Sequence, residues 1–271
     1  MGKDFLSKII EYKKNEVYAL KRVLPEKRLI EIKVSGEKRP FLKRLKEQGP
    51  SGINIIAEIK RASPSKGVIN SDIDAALYAA EYEKGGACAI SVLTDRHFFM
   101  GSLDDLIGAR KSTVLPVLRK DFIISSYQIY ESSAIGADAI LLIVRILSEN
   151  QLNDYISLCR QLKLETLVEV HSEKDLEIAT NAGAGLIGIN NRNLSSFKTD
   201  IEVSMRLSGL LKPEQTAVAA SGINGRDDIE KNLSFGVYNF LIGESIVRSG
   251  NPAEFIRSLV SWKAGKNGNR C

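Results

Sequence analysis

From residue 51 onward the apolar positions gather into eight short runs, at 54–60, 87–94, 115–120, 137–144, 165–170, 185–190, 216–221 and 238–243. Each is rich in Ile, Val, Leu and Ala with little alternation, the pattern of strands covered on both faces. Amphipathic stretches separate them, among them 72–84, 125–135, 149–162, 173–182 and 226–233. Ser71, Ser148 and Ser172 stand where a helix N-cap is needed, and Gly85, Gly136, Gly183 and Gly236 follow helical stretches, where left-handed backbone favours glycine. Eight strand–helix alternations predict an α/β protein, a closed (β/α)8 TIM barrel. An open doubly wound sheet is the alternative, weakened because no GxGxxG turn follows the first strand.

Residues 1–50 are extra to this repeat. Leu6, Ile9, Ile10, Val17, Leu20 and Leu24 recur at helical spacing until Pro25 stops the run. A second short helix is expected after Pro40, with Phe41, Leu42 and Leu45 on one side. The expected organisation is one domain over 1–271: a helical extension (1–50), the barrel (51–262) and a polar tail (263–271).

Composition narrows the function classes. Of 271 residues 44% are apolar, enough for a substantial core, yet no apolar run approaches the ~18 residues of a membrane span. The first 20 residues carry charges every few positions and lack a signal-peptide core, so a cytoplasmic protein is expected. Cys88, Cys159 and Cys271 are scattered, and His97 and His171 have no ligand-spaced partners, so neither a disulfide framework nor a metal is expected. Nor is a cofactor. Lys and Arg exceed Asp and Glu by 38 to 33, a net charge of +5. The basic residues are dispersed, densest at Lys13–Lys14, at 38–44 and from Lys263, and read as solvated surface. That suits a small phosphorylated substrate better than nucleic acid or a membrane. A monomer or weak homo-oligomer is expected.

Catalytic groups of such barrels come from the C-terminal strand ends. Here those ends carry Glu58 and Lys60, Arg119-Lys120-Asp121, Glu169, Asn190-Asn191-Arg192 and Ser221. Alternation places Glu58 and Lys60 on the same side as Ile56, and Ala220 opposite to Ser221. Buried charges cost free energy unless paired or used, so their convergence on one mouth points to chemistry. Ser221-Gly222 and Gly243-Glu244 end the last two strands, where barrels often hold a phosphate.

These motifs closely resemble the indole-3-glycerol-phosphate synthase family. The resemblance runs through Ile56-Ala57-Glu58-Ile59-Lys60-Arg61-Ala62-Ser63-Pro64-Ser65, Ser91-Val92-Leu93-Thr94-Asp95 with Phe99, and Pro116-Val117-Leu118-Arg119-Lys120-Asp121-Phe122. It continues in Leu167-Val168-Glu169-Val170-His171, Ile187-Gly188-Ile189-Asn190-Asn191-Arg192-Asn193-Leu194, Ser221-Gly222-Ile223 and Leu241-Ile242-Gly243-Glu244. The resemblance implies ring closure and decarboxylation of an anthranilate-bearing deoxyribulose 5-phosphate. It implies Lys120 as general acid, Lys60 as anion partner and second acid, and Glu169 as base. Glu58 would keep the lysines charged and oriented, and Asn190 and Ser221 would complete the catalytic set. Ser63, Arg192, Gly222, Gly243 and Glu244 would hold anionic groups, and Phe99, Phe122, Leu141 and Leu194 the aromatic ring. The extension is expected to cover the mouth. One position departs from the pattern: Ala220 stands where the family often has Glu, which puts an acidic contribution there in doubt.

Three other readings remain at this point, one of them additional nucleic-acid binding through the basic surface, which a salt-dependent retention assay would discriminate. A neighbouring phosphosugar isomerase would be expected to use a Cys and Asp pair, whereas the first strand here carries Glu58 and Lys60. A barrel that binds a phosphorylated ligand without turnover would be expected to have lost one of these polar groups.

Overall fold

The apolar runs become strands β1 (Asn54–Ile59), β2 (Ala89–Leu93), β3 (Val117–Lys120), β4 (Ala139–Ile143), β5 (Glu165–Val170), β6 (Leu186–Asn190), β7 (Thr216–Ala220) and β8 (Asn239–Ile242). Successive strands pair in parallel and β1 pairs with β8, so the sheet closes and the open-sheet alternative falls. The computed structural model describes residues 5–32, 37–47, 49, 51–193 and 197–261. The tail 263–271 and Leu194 lie outside them.

Continuous apolar runs are explained by burial on two sides. Ile55, Ala57 and Ile59 of β1 join the layer between sheet and helices. Ile56, Leu118, Leu141, Leu167, Val218 and Leu241 fill the barrel's inside. Strand ends differ from expectation by at most two residues, the ordinary fraying of such boundaries.

Local signals need two corrections. The helix Ala75–Gly85 is capped by Asp74, whose carboxylate accepts from the N–H groups of Ala76 and Leu77, and not by Ser71. The left-handed residue after it is Gly86, with φ 92°, and not Gly85, whose missing side chain lets Ile256 and Ala253 approach. Ser148 and Ser172 cap their helices as expected, each within a capping box.

The extension forms α1 (Phe5–Val23), α2 (Glu26–Glu31) and α3 (Phe41–Lys46). Pro25 ends the first helix and stands at the N-cap of the second, a short helix the periodicity did not announce. Val17 of α1 and Leu29 of α2 pack on Tyr127, outside the barrel. Leu6 and Ile9 of α1, and Phe41 and Leu45 of α3, join the cluster that fills the barrel's inside. Asn54 at the start of β1 donates to the Leu45 carbonyl at 3.1 Å, which fixes α3 at the N-terminal end of the strands.

Lys13 departs from the solvated surface expected of the dispersed basic residues. Its side chain is 2% exposed, and its ammonium lies 2.9 Å from Asp95, 2.9 Å from Asp121 and 2.7 Å from Glu16. Burial alone would lower Lys13; the Asp121, Asp95 and Glu16 carboxylates outweigh it and raise it above the ordinary lysine value. Asp95 and Asp121 follow β2 and β3, so one lysine ties α1 to the C-terminal rim.

Candidate active site

Alternation and register bring the polar strand ends together. Glu58 sits on the inner side of β1, one step above Ile56, and is 2% exposed. The Lys60 ammonium is ion-paired with its Oε1. Lys120 ends β3 on the inner side, and its Nζ lies 3.9 Å from Glu58 and 3.9 Å from the carboxylate of Glu169 on β5. Burial would raise the Glu58 carboxyl, but Lys60 and then Lys120 outweigh it and hold it below the usual carboxylate value. Glu58 is therefore an anion set between two ammoniums.

Asn190 ends β6 and fixes Glu169. Its side-chain amide donates to Glu169 Oε1 at 3.1 Å, while its Oδ1 accepts from the Arg192 N–H at 3.0 Å. Both ends of the amide are thus spoken for, which leaves one orientation. Arg192 reaches Ser65 of the loop after β1 and lies 3.9 Å from Glu244 after β8. It ties two rims of the mouth together.

The neighbouring charged residues face elsewhere. Arg119 turns outward into a buried network with Asp121, Glu131, Ser132 and the Gln128 carbonyl. Asn191 also turns away, donating to the Ser221 carbonyl at 3.0 Å.

Above this floor lies a cavity of about 740 Å³, within the range of small-molecule sites. Glu58, Lys60, Ser63, Phe99, Lys120, Phe122, Asn190, Arg192, Ser221, Gly222, Gly243 and Glu244 all line it. Glu169 does not line it; it lines a smaller recess with His171, Asn190 and Arg192 and meets the main cavity through Lys120 and Asn190. Leu141 is not on the wall; it packs inside the barrel with Leu118 and Leu167. Phe99 and Phe122 stand 6.0 Å apart between centroids, a tilted pair that makes one apolar wall.

The cavity is also lined by residues that the sequence motifs do not single out. Phe5 and Ile9 of α1 reach the cavity, so the extension covers part of the mouth. The apolar stripe of α1 was the available signal. Ala220 also lines the cavity, from the inner side of β7 next to Val218 and Leu241. Ser221 then leaves the strand with φ 67°, a left-handed backbone rare outside glycine, and Gly222 follows with φ 76°. A side chain at Gly222 would strike Thr199, and one at Gly243 would come within 2.8 Å of Glu58 Oε1. Gly243 therefore makes the space in which Glu58 stands. Among the described residues no group of three or more His, Cys, Asp or Glu is placed to hold a metal ion, and no helix is long and apolar enough to cross a membrane.

With its acid–base groups gathered at the C-terminal rim, over a cavity of ligand size, the chain stands with the (β/α)8-barrel enzymes. Two solved structures share the fold at low identity. Thiamine phosphate pyrophosphorylase from Pyrococcus furiosus has TM-score 0.58 and 15% identity, covering 77% of this chain and 94% of that one. N-acetylmannosamine-6-phosphate 2-epimerase from Clostridium perfringens has TM-score 0.61 and 14% identity, covering 80% and 95%. Sequence similarity is far more specific. Residues 6–259 match the indole-3-glycerol phosphate synthase family. The indole-3-glycerol phosphate synthase of Desulfosudis oleivorans is 55% identical over 95% of this chain and 99% of its own length. That of Syntrophobacter fumaroxidans is 51% identical over 94% and 97%. The chain belongs to the indole-3-glycerol phosphate synthase family.

Proposed function

We propose that this mouth converts 1-(2-carboxyphenylamino)-1-deoxyribulose 5-phosphate to indole-3-glycerol phosphate, carbon dioxide and water. The observation that carries the reading is the position of Lys120, with a carboxylate 3.9 Å away on either side, on the floor of the cavity. The aromatic carbon bearing the carboxylate attacks the ketone carbon, and Lys120 delivers a proton to the ketone oxygen as it becomes a hydroxyl. The carboxylate leaves as carbon dioxide, and its bonding pair restores the aromatic ring. Dehydration follows: Lys60 protonates the departing hydroxyl, and Glu169 takes the proton from the neighbouring ring carbon. Glu58 orients both lysines, and Asn190 aims Glu169.

The anthranilate ring fits the wall of Phe99 and Phe122, closed from above by Phe5 and Ile9. The phosphate belongs between the Ser221-Gly222 and Gly243-Glu244 turns, with Ser63 and Arg192 toward the anionic groups. The Glu244 carboxylate is engaged by Arg192 and Arg248, so what it offers an anion is its main chain. Ala220 leaves the floor without the acid many family members have there, and the chemistry runs on Glu58 and Glu169. The enzyme works in the cytoplasm, as a monomer or weak homo-oligomer, without nucleic acid.

The test is incubation of the purified chain with this substrate, following indole absorbance and carbon dioxide release with no cofactor added. Equimolar products are expected; failure to form either would overturn the reading. Pretreatment with EDTA is expected to leave the rate unchanged, because lysines supply the acid groups. A complete, metal-reversible loss of activity would count against that chemistry.

Gly243→Val is expected to do more than weaken phosphate binding. Displacing Glu58 misplaces both lysines, so kcat should fall by at least about 10-fold while KM also rises. Steady-state kinetics decides: a change in KM alone would show that Gly243 serves only the phosphate.

A further inference from the structure

His171 stands just past β5, outside the set of groups given a role above. Its backbone N–H donates to Asp175 Oδ2 at 2.9 Å, and Arg145 binds the same carboxylate oxygen at 2.9 Å. Asp175 is also held by the Ser172 capping box, so the ring rests on an anchored turn. The ring's Nδ1 lies 2.6 Å from the backbone carbonyl oxygen of Asn190. A carbonyl can only accept, so Nδ1 carries the proton and donates.

That contact falls on the residue whose side chain aims the base. Asn190 gives its amide to Glu169 and takes the Arg192 N–H on its Oδ1. Glu169, Asn190, His171 and Arg192 surround one small recess behind the main cavity. The Asn190 carbonyl shares its peptide plane with the Asn191 N–H, which donates to the Ala220 carbonyl at 2.9 Å; the His171 ring holds the opposite edge of that plane. From Arg145 through Asp175 and His171, the chain of contacts ends at Glu169.

We propose that His171 is a positioning residue for the reaction: its Nδ1–H locks the end of β6, and through Asn190 sets the direction of the Glu169 carboxylate. This rests on the assignment of Glu169 as an active group. The ring does not line the main cavity, and its contact with the site runs through the Asn190 carbonyl. Its loss therefore acts on turnover rather than on binding.

The experiment compares three variants with the unaltered enzyme by kcat, KM and thermal unfolding. Asparagine can place an N–H close to the Nδ1 position; leucine and glutamine cannot. His171→Leu and His171→Gln are expected to lower kcat by about 10- to 100-fold with KM within about threefold, as small misplacements of reacting groups do. His171→Asn is expected to stay within about threefold of the unaltered kcat, a rescue that packing alone would not produce. If the leucine variant fails to fold, the Asn and Gln pair decides. Equal losses in Asn and Gln, or unaltered kcat in Gln, would overturn the proposal. Glu169→Gln measured in parallel separates the two claims. A crippled Glu169→Gln beside a normal His171→Gln overturns the His171 role alone. A normal Glu169→Gln beside a crippled His171→Gln overturns both.

Discussion

Replacing Lys120 by alanine is expected to lower kcat by about 10² to 10⁴, the contribution of a positioned acid or base. The residue ends β3 on the inner side of the barrel, between Glu58 and Glu169, and lines the cavity. No other described ammonium lies between those two carboxylates: Lys60 pairs with Glu58 from its other oxygen. In the order of steps proposed above, Lys120 serves the first bond formation, so no intermediate should accumulate in the variant. Substrate should still bind, since Phe99, Phe122 and the turns proposed for the phosphate are untouched. Steady-state kinetics with a binding titration checks this. Near-normal turnover would move the general acid to Lys60 and reverse the roles proposed above.

The second large effect is on stability, at Lys13. Lys13→Met would leave Asp95 and Asp121 buried with one cation fewer, and among the described residues the Asp95 carboxylate would keep the Phe98 N–H and no cation. Removing one partner of a buried ion pair costs about 3–5 kcal/mol, which for a chain of this size lowers Tm by roughly 6–20 °C. Function should suffer too. Asp95 caps the helix that carries Phe99, Asp121 follows Lys120, and α1 carries Phe5 and Ile9. A rise in KM is therefore expected alongside the fall in Tm, and an unchanged Tm would refute the clamp. Its pH signature has a definite sign. Burial would raise the Asp121 carboxyl, but Lys13 and Arg119 outweigh it and bring it from 3.8 down to about 2. A depressed carboxyl stabilises the fold fully above its ordinary value, and that contribution is lost as pH falls through about 2.

Much of this was legible from the amino-acid order because two-sided burial leaves a plain mark. Strands between a filled barrel and a helix layer are apolar at most positions on both faces, and β1, β2, β4, β6 and β8 are buried throughout, with polar exceptions such as Glu58 and Asn190. Period-two reasoning also placed Glu58 and Lys60 together, because nothing interrupts β1 between Ile56 and Glu58. What was not legible depends on distant partners. Lys13 looks like any surface lysine until the fold brings Asp95 and Asp121 to it. Arg119 reads as a charge of the mouth, but alternation sends it outward to Glu131 and Ser132. Leu141 has the right character for a substrate wall and lies one layer too deep. Ala220 shows the opposite failure: an alanine advertises nothing, and only register with Asn190 shows that it faces the cavity. The role of Gly243 beside Glu58 required knowing that β1 and β8 are neighbours.

The central claim is that Lys120 and Glu169, brought to one mouth by β3 and β5, act in different steps on one bound substrate. Rapid-quench analysis of a single turnover by Glu169→Gln tests it most directly, with carbon dioxide and indole measured from the same samples. Glutamine keeps the size of the side chain and a hydrogen bond to Asn190 but cannot accept a proton as a base. Ring closure and decarboxylation should proceed under Lys120, and dehydration should stall. The expected result is carbon dioxide released ahead of indole, with the decarboxylated, undehydrated intermediate accumulating between them. Carbon dioxide and indole appearing together, both slowed alike, would contradict the division of labour.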